Sequence, residues 1–397
     1  MLNAERQQEV ITLCQHLVQC KSYSGEEGSV AEVLKNYFQS HGFDAVSVDN
    51  YGNCLGYMQG TGPGPTILLD GHMDTVPVTE PESWDYPPFG AEIHDGKIHG
   101  RGTSDMKGAL AAMCCSVANF AIDNKKNFAG NIYVAGVVHE ECFEGVAARS
   151  ISKLVKPDYV IIGEASGLNI KIGQRGRAEV KLEVFGKPAH SANPEKGINA
   201  VYKICKLVEA IRKLPVTRDP FLGEGILELT DIKSSPYPGA SVVPEYCMAT
   251  YDRRLLTGES KKSVLAPLEK LVAQLSAEDS KLQAKVSYAQ GAENCYTGHK
   301  IQGERFFPGW VFPKDALFVE AAVRELEEKG YTPTITKYNF CTNGSHYAGE
   351  AGIKTIGLGP SRENLAHTKN EYIEIEELTK AADCYYGVLQ AWTKLKE

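Results

Sequence analysis

The sequence predicts an α/β protein whose mainly parallel sheet is interrupted by a smaller α+β domain. Apolar strand-like segments alternate with helical segments up to residue 173, which is the order of a parallel sheet covered by helices. Over residues 174–291 the order changes to β-α-β-β-α-β, which is typical of a ferredoxin-like domain. The α/β pattern then resumes. We therefore expect a first domain in two parts, 1–173 and 292–397, with residues 174–291 inserted between them.

The elements of the first part follow from apolar periodicity. A spacing of three and four residues predicts helices, and alternation or short apolar runs between Gly/Pro turns predict strands. Ser24, with Glu27 three residues later, is placed to cap the second helix. The predicted helices cover residues 4–20, 29–41, 109–121 and 145–154, and the predicted strands cover residues 43–49, 54–58, 66–69, 130–138 and 159–162.

Three of these strands lead into polar residues. His72 follows the third strand, Glu140 follows the fourth and Glu164 follows the fifth. Because open α/β sheets bind their ligands at the carboxyl ends of strands, we expect these side chains to meet at one edge. The long Pro- and Gly-rich loop over residues 77–102 is of the kind that is usually functional in a compact domain.

The remaining elements belong to the insertion and to the last part of the chain. Polar and apolar residues alternate over 178–185, which predicts a strand with one solvated face. The insertion continues with helices at 197–213 and 261–275 and strands at 226–232, 240–251 and 283–289. The last part has helices at 315–329 and 375–394 and strands at 335–340 and 355–358.

Composition excludes several classes of protein. The net charge of −8 argues against a nucleic-acid binder, which would normally carry a basic patch. No apolar stretch is long enough to predict a membrane span, and the first residues do not resemble a signal peptide. The eleven cysteines are scattered without a Cys-x-x-Cys pair, which favours reduced thiols and a cytoplasmic location.

Seven acidic and histidine residues stand at predicted strand ends or in glycine-flanked loops. Two histidines with several carboxylates suit Zn²⁺ or another borderline divalent ion, and the set is large enough for two ions that share a carboxylate. Taken alone, the residues leave two interpretations open, a hydrolytic metal site or an acidic surface that falls on loops. The seven residues are His72, Asp74, Asp105, Glu140, Glu141, Glu164 and His367.

Several motifs occur along the chain in a fixed order. They are GHMDTVP at 71–77, GRGTSDMKG at 100–108, EE at 140–141, GE at 163–164, GKPAHSA at 186–192, DRR at 252–254 and AHTKNE at 366–371. In this order they resemble the M20 metallopeptidase family, which includes acetylornithine deacetylase, succinyl-diaminopimelate desuccinylase and glutamate carboxypeptidase. The chain is also similar to a branch of hydrolases linked to selenium metabolism.

The resemblance implies a two-metal catalytic domain of the aminopeptidase/carboxypeptidase type, with the insertion as a lid and dimerisation domain. The two ions would be Zn²⁺, with Co²⁺ or Mn²⁺ as alternatives. Asp74 would orient a ligand, and Glu140 would be the general base that acts on a water bridging the metals. The implied ligands are His72, Asp105 and Glu164 for one ion and Asp105, Glu141 and His367 for the other.

The resemblance also implies residues that contact the substrate. His190 would stabilise the tetrahedral oxyanion, commonly in the active site of the partner within a homodimer. Arg254 would bind a substrate carboxylate, and Gly359 would offer its backbone N–H to the same group. The chain departs from the pattern of many relatives at Asn343 and Ser241, two positions expected to face the substrate.

We therefore predict a cytoplasmic, homodimeric metallo-amidohydrolase that acts on an N-acyl amino acid, as acetylornithine deacetylase does. The alternative within the family is a dipeptidase or carboxypeptidase that acts on small peptides. The alternative from another class is a catalytically silent metal-binding protein on the same fold. We expect no nucleic-acid or membrane partner.

Overall fold

The computed structural model describes residues 2–395 and divides into two compact units. The first unit contains the chain up to Gln174, the segment Ala292–Gly303 and the chain from Val311 onward. The second unit contains Arg175–Gly291 and Glu304–Trp310. The outermost residues of the predicted ranges, 1, 396 and 397, lie outside the described residues.

The first unit is built on a nine-stranded sheet, which confirms the predicted α/β class. The strands at the centre of this sheet run parallel to one another, and antiparallel strands flank them. Along the sheet the strands are Ala45–Val48, Cys54–Gln59, Ala129–Val137, Gly62–His72, Tyr159–Ile162, Lys354–Gly357, Ile170–Gln174 and Trp310–Val311, with Ile335–Tyr338 paired to Ile170–Gln174.

Six helices accompany this sheet among the described residues. Gly108–Asp123 is buried along nearly its whole length, because its Ala, Met and Cys side chains pack on every side. Within residues 2–395, no helix is both long and apolar enough to cross a lipid bilayer. The other five helices are Ala4–Gln19, Gly28–Ser40, Ala148–Val155, Leu317–Glu328 and Ile375–Trp392.

Short strands that the sequence did not predict organise the long loop after His72. Glu92–His94 and Lys97–His99 form a hairpin, and Tyr372–Glu374 pairs with its second strand. This small sheet brings the segment after His367 beside the turn that follows residue 99. A second unpredicted hairpin consists of Gln290–Asn294 and Lys300–Glu304.

The predicted cap of the second helix is wrong. Glu27 occupies the N-cap position of Gly28–Ser40 without a side-chain cap hydrogen bond. Ser24 instead donates its hydroxyl to Asp74 Oδ2 at 2.7 Å, and Glu27 Oε1 accepts from the backbone N–H of Gly25. A carboxylate from a distant segment therefore outcompetes the local cap for the Ser24 hydroxyl.

The second unit is a ferredoxin-like α+β domain, as predicted. Its four main strands are all antiparallel, and in chain order they lie in the spatial order 2-3-1-4. Buried and partly exposed residues alternate along Gly176–Phe185, and the apolar face packs in one core with the two helices. The four strands are Gly176–Phe185, Ile226–Ser235, Tyr246–Leu255 and Gln283–Tyr288, and the helices are Ala200–Ile211 and Lys261–Glu278.

Candidate metal centre

His72 lies at the carboxyl end of a central strand and is 1% exposed. Its Nδ1 lies 2.8 Å from the backbone oxygen of Asp74, an acceptor that fixes the proton on Nδ1. Its Nε2 then points into the site, 2.9 Å from Asp105 Oδ1 and 3.5 Å from Glu164 Oε1. The strand end therefore presents one imidazole nitrogen to two carboxylates.

The carboxylate of Asp74 holds the turn that follows the neighbouring strand. Its Oδ1 accepts from the backbone N–H of Glu140 at 3.0 Å, and its Oδ2 accepts from that of Glu141 at 3.2 Å. The carboxylate lies 3.6 Å from His72 Nδ1, farther than the Asp74 backbone oxygen. Asp74 thus orients His72 through its main chain and the two glutamates through its side chain.

Asp105 and His367 close the other side of the site. His367 Nε2 lies 3.2 Å from Asp105 Oδ2 and 2.9 Å from Glu141 Oε2. Because Asp105 uses Oδ1 toward His72 and Oδ2 toward His367, it stands between the two imidazoles. The structure thus brings together the seven residues that the sequence placed in one constellation.

The donor atoms fit divalent cations. The donors of His72, Glu140 and Glu164 lie within 4.8 Å of one another, as do those of His72, Asp105 and Glu141. Tetrahedral zinc with bonds of about 2.0–2.2 Å separates its ligands by roughly 3.4 Å, close to the contacts seen here. One oxygen each of Glu140 and Glu141 is buried without a hydrogen-bond partner. Such oxygens are expected where a cation completes the site.

The buried charges of the site shift one another's pKa values. Burial, reinforced by Asp105, raises the pKa of Glu141 to about 7, and burial with the charge of Glu164 raises the pKa of Glu140 well above its usual range. Hydrogen bonds to Asp105 and Glu141 raise the pKa of His367 to about 10. Protons therefore neutralise part of the buried acid cluster, a task that divalent ions can take over.

Glu371 is a structural element of the site that sequence reasoning did not assign. This fully buried carboxylate accepts from Arg101 Nη1 at 2.7 Å and from the backbone N–H groups of Gly102, Ser104 and Asp105. It lies four residues after His367. Glu371 therefore ties the segment that carries His367 to the turn that presents Asp105, and its place in the same motif was the available signal.

Asn343 and Gly359 use their polar groups within the protein. Asn343 is 2% exposed, donates Nδ2 to Asp70 Oδ1 at 2.9 Å and accepts at Oδ1 from the N–H of Gly145. The N–H of Gly359 donates to Ser166 Oγ at 3.0 Å. The groups through which these two residues were expected to contact substrate are engaged in internal hydrogen bonds.

His190 and Arg254 belong to the second unit. His190 is exposed, and its Nδ1 accepts from the backbone N–H of Ala192 at 3.1 Å. This contact leaves the proton of the neutral ring on Nε2. Arg254 lies on the strand Tyr246–Leu255, with its Nε 2.9 Å from Asp252 Oδ1.

Comparison with known proteins identifies relatives over nearly the whole chain. The sequence model of peptidase family M20/M25/M40 matches residues 68–391. The uncharacterized protein YgeY of Escherichia coli K12 is 31% identical over 97% of this chain and 95% of its own. Succinyl-diaminopimelate desuccinylase 2 of Ruegeria is 28% identical over 98% of this chain and 97% of its own.

Solved structures share the fold. The aminopeptidase PepT from Bacillus cereus superimposes with a TM-score of 0.75 at 24% identity, covering 98% of this chain and 99% of the other. At this level of identity, the likeness shows that the two chains share a fold.

Proposed function

Because the chain belongs to peptidase family M20/M25/M40 and is a metallo-amidohydrolase or metallopeptidase, we propose that it hydrolyses the amide bond of a small N-acyl amino acid. The observation that carries this proposal is the Glu140 carboxylate. It is buried among metal-binding donors, and one of its oxygens has no hydrogen-bond partner. The first candidates are substrates that resemble acetylornithine. Because one relative is named a desuccinylase, N-succinyl amino acids are tested as well.

Two divalent ions would be held by the five ligand side chains, with Asp105 shared. Imidazole and carboxylate donors suit Zn²⁺, and we propose Zn²⁺ with Co²⁺ or Mn²⁺ as replacements. When bound, the ions would polarise the scissile carbonyl and lower the pKa of a water molecule. His72, Asp105 and Glu164 would hold one ion, and Asp105, Glu141 and His367 would hold the other.

Glu140 would transfer a proton from the attacking water to the leaving amine. As general base it takes a proton from the attacking water, and as general acid it delivers that proton to the leaving amine. Its position supports this role, because the Asp74 carboxylate holds the Glu140 backbone N–H and leaves the side chain within the donor cluster.

His190 would stabilise the oxyanion, and we propose that it acts in the active site of a second copy of the chain. The hydrogen bond from the Ala192 N–H to Nδ1 leaves Nε2–H as a donor, which supports this role. We expect His190→Ala to lower kcat by roughly 10²–10³-fold, as for other oxyanion donors, without loss of metal. His94→Ala, which removes a surface histidine paired with Glu92, is the control. An unchanged kcat for His190→Ala would remove this assignment.

Arg254 would bind the carboxylate of the substrate, because a guanidinium matches a carboxylate with two parallel hydrogen bonds. A cytoplasmic homodimer completes the proposal. We propose that the second unit forms the dimer contact, and its exposed apolar side chains include Tyr202, Phe185 and Ile232. Light scattering of the purified protein would test the dimer, and a monomer at micromolar concentration would overturn it.

The deciding experiment is a substrate screen of the metal-loaded protein. N-acetyl, N-succinyl and N-formyl amino acids are compared with dipeptides, and the released amine is measured. We expect turnover of an N-acyl amino acid, and Glu140→Gln to lower it by about 10²–10⁴-fold while metal content stays normal. Hydrolysis of dipeptides alone would favour the peptidase alternative. Bound metal without hydrolysis of any compound would favour a silent metal-binding protein.

A further inference from the structure

Asn343 is placed between two segments that carry groups of the metal centre. It follows the strand Ile335–Tyr338 and is almost fully buried. Its amide makes one hydrogen bond at each end, to Asp70 on one side and to the N–H of Gly145 on the other. Both bonds are 2.9 Å long.

The first contact reaches the strand that presents His72. Asp70 lies two residues before His72 on Gly62–His72 and is 1% exposed. Its Oδ1 accepts from Asn343 Nδ2, and its Oδ2 accepts from the hydroxyl of Tyr347 at 2.8 Å. The carboxylate is therefore satisfied by two donors from the segment after Ile335–Tyr338, which fixes this strand end against that segment.

The second contact reaches the turn that follows Glu140 and Glu141. Gly145 is four residues beyond Glu141 and has a φ of +86°, a conformation that favours glycine. A Cβ at this position would also approach His346 Cβ to 2.9 Å. Both features restrict the backbone at Gly145. Asn343 Oδ1 accepts a hydrogen bond from the Gly145 N–H. Asp74 holds the start of the same turn through the N–H groups of the two glutamates.

The chemistry of the two contacts specifies an amide. Asp70 requires a donor from position 343, and the N–H of Gly145 requires an acceptor from the same side chain. Of the common side chains of this size, Asn offers one of each. A carboxylate at position 343 would place two acceptors 2.9 Å apart and leave Asp70 Oδ1 without its donor.

We infer that Asn343 is a positioning residue that sets Glu140 and Glu141 relative to His72, rather than a residue that contacts substrate. The inference rests on the proposed function for its turnover readout only, since metal binding can be measured without a substrate. Outer contacts of this kind change metal affinity or activity by about 10–100-fold when removed.

The test exchanges the side chains at positions 70 and 343. Asn343→Asp should lower kcat by about 10–100-fold and weaken Zn²⁺ binding, measured by calorimetry, with KM within about 2-fold of wild type. The double variant D70N/N343D should recover kcat to within about 3-fold. In it the amide at position 70 donates to the carboxylate at position 343, which still accepts from Gly145, so each contact keeps one donor and one acceptor. Asn36→Asp, on the exposed face of Gly28–Ser40, is the charge control.

Several results would overturn the inference. A rise of KM with kcat preserved would make Asn343 a substrate contact. A lower unfolding temperature with normal kcat and Zn²⁺ affinity would make it structural only. If Asn343→Asp does not fold, the double variant decides, and a double variant that does not fold or shows no recovery overturns the inference. If wild type hydrolyses no compound, the proposed function fails, while Zn²⁺ affinity across the same variants still tests the role of Asn343.

Discussion

The two sides of the metal centre are held by different means. On the buried side, His72 and Glu164 project from the ends of neighbouring parallel strands and have side chains 1% and 5% exposed. On the outer side, the His367 side chain is 54% exposed and comes from a loop between short elements. The buried side is therefore fixed by the sheet, whereas the outer side depends on contacts between loops. On the outer side, Glu371 ties the loop that carries His367 to the turn that presents Asp105.

The largest expected effect on stability comes from removing the Glu371 carboxylate. Glu371→Ala leaves Arg101 and three backbone N–H groups without their common acceptor in a buried place. Breaking a buried ion pair by removing one partner costs about 3–5 kcal/mol, and we expect the free energy of unfolding to fall by this amount in denaturant titrations. Glu376→Ala, which removes an exposed carboxylate paired with Lys380, should leave the unfolding midpoint unchanged. Equal effects of the two variants would contradict the role of Glu371.

The second prediction concerns the histidine ligands on the two sides of the metal centre. His367→Ala should remove one ion and leave the buried one, because His72, Asp105 and Glu164 are unchanged. His72→Ala should weaken both, because Asp105 is shared and loses the partner of its Oδ1. Since outer contacts alone cost about 10–100-fold in affinity, we expect the loss of either ligand to exceed that range at its own ion. Calorimetric stoichiometry with Zn²⁺ measures this, and the same stoichiometry in both variants would remove the distinction.

The smallest expected effect is a pH dependence of the metal-free protein. Folding raises the pKa of Glu141 from 4.5 to about 7 and that of His367 from 6.5 to about 10. For both groups the folded state binds more protons than the unfolded state, so their contribution to stability falls as pH rises through these intervals. Divalent ions displace these protons, and the gain in melting temperature on adding Zn²⁺ should be larger at about pH 8 than at about pH 6. A larger gain in melting temperature at the lower pH would contradict the prediction that Glu141 and His367 hold protons in the metal-free protein.

Local patterns were sufficient for the main elements and for a set of candidate site residues. The parallel strands, the ferredoxin-like order of the second unit and the family were predicted from periodicity and motifs, and they are confirmed. The short strands Glu92–His94 and Lys97–His99 were missed, because three residues are too few to show a period. The cap by Ser24 was wrong, because its hydroxyl has a partner fifty residues away.

The sequence by itself determined the set of candidate metal ligands, because each stands at a strand end or in a motif whose spacing is local. Only the tertiary structure decided how those residues are held. The partners that fix them lie far apart in the chain, 66 residues between Asp74 and Glu140, 266 between Asp105 and Glu371, and 273 between Asp70 and Asn343. A hydrogen bond depends on distance and direction in space, and no periodicity along the chain records a contact between segments so widely separated.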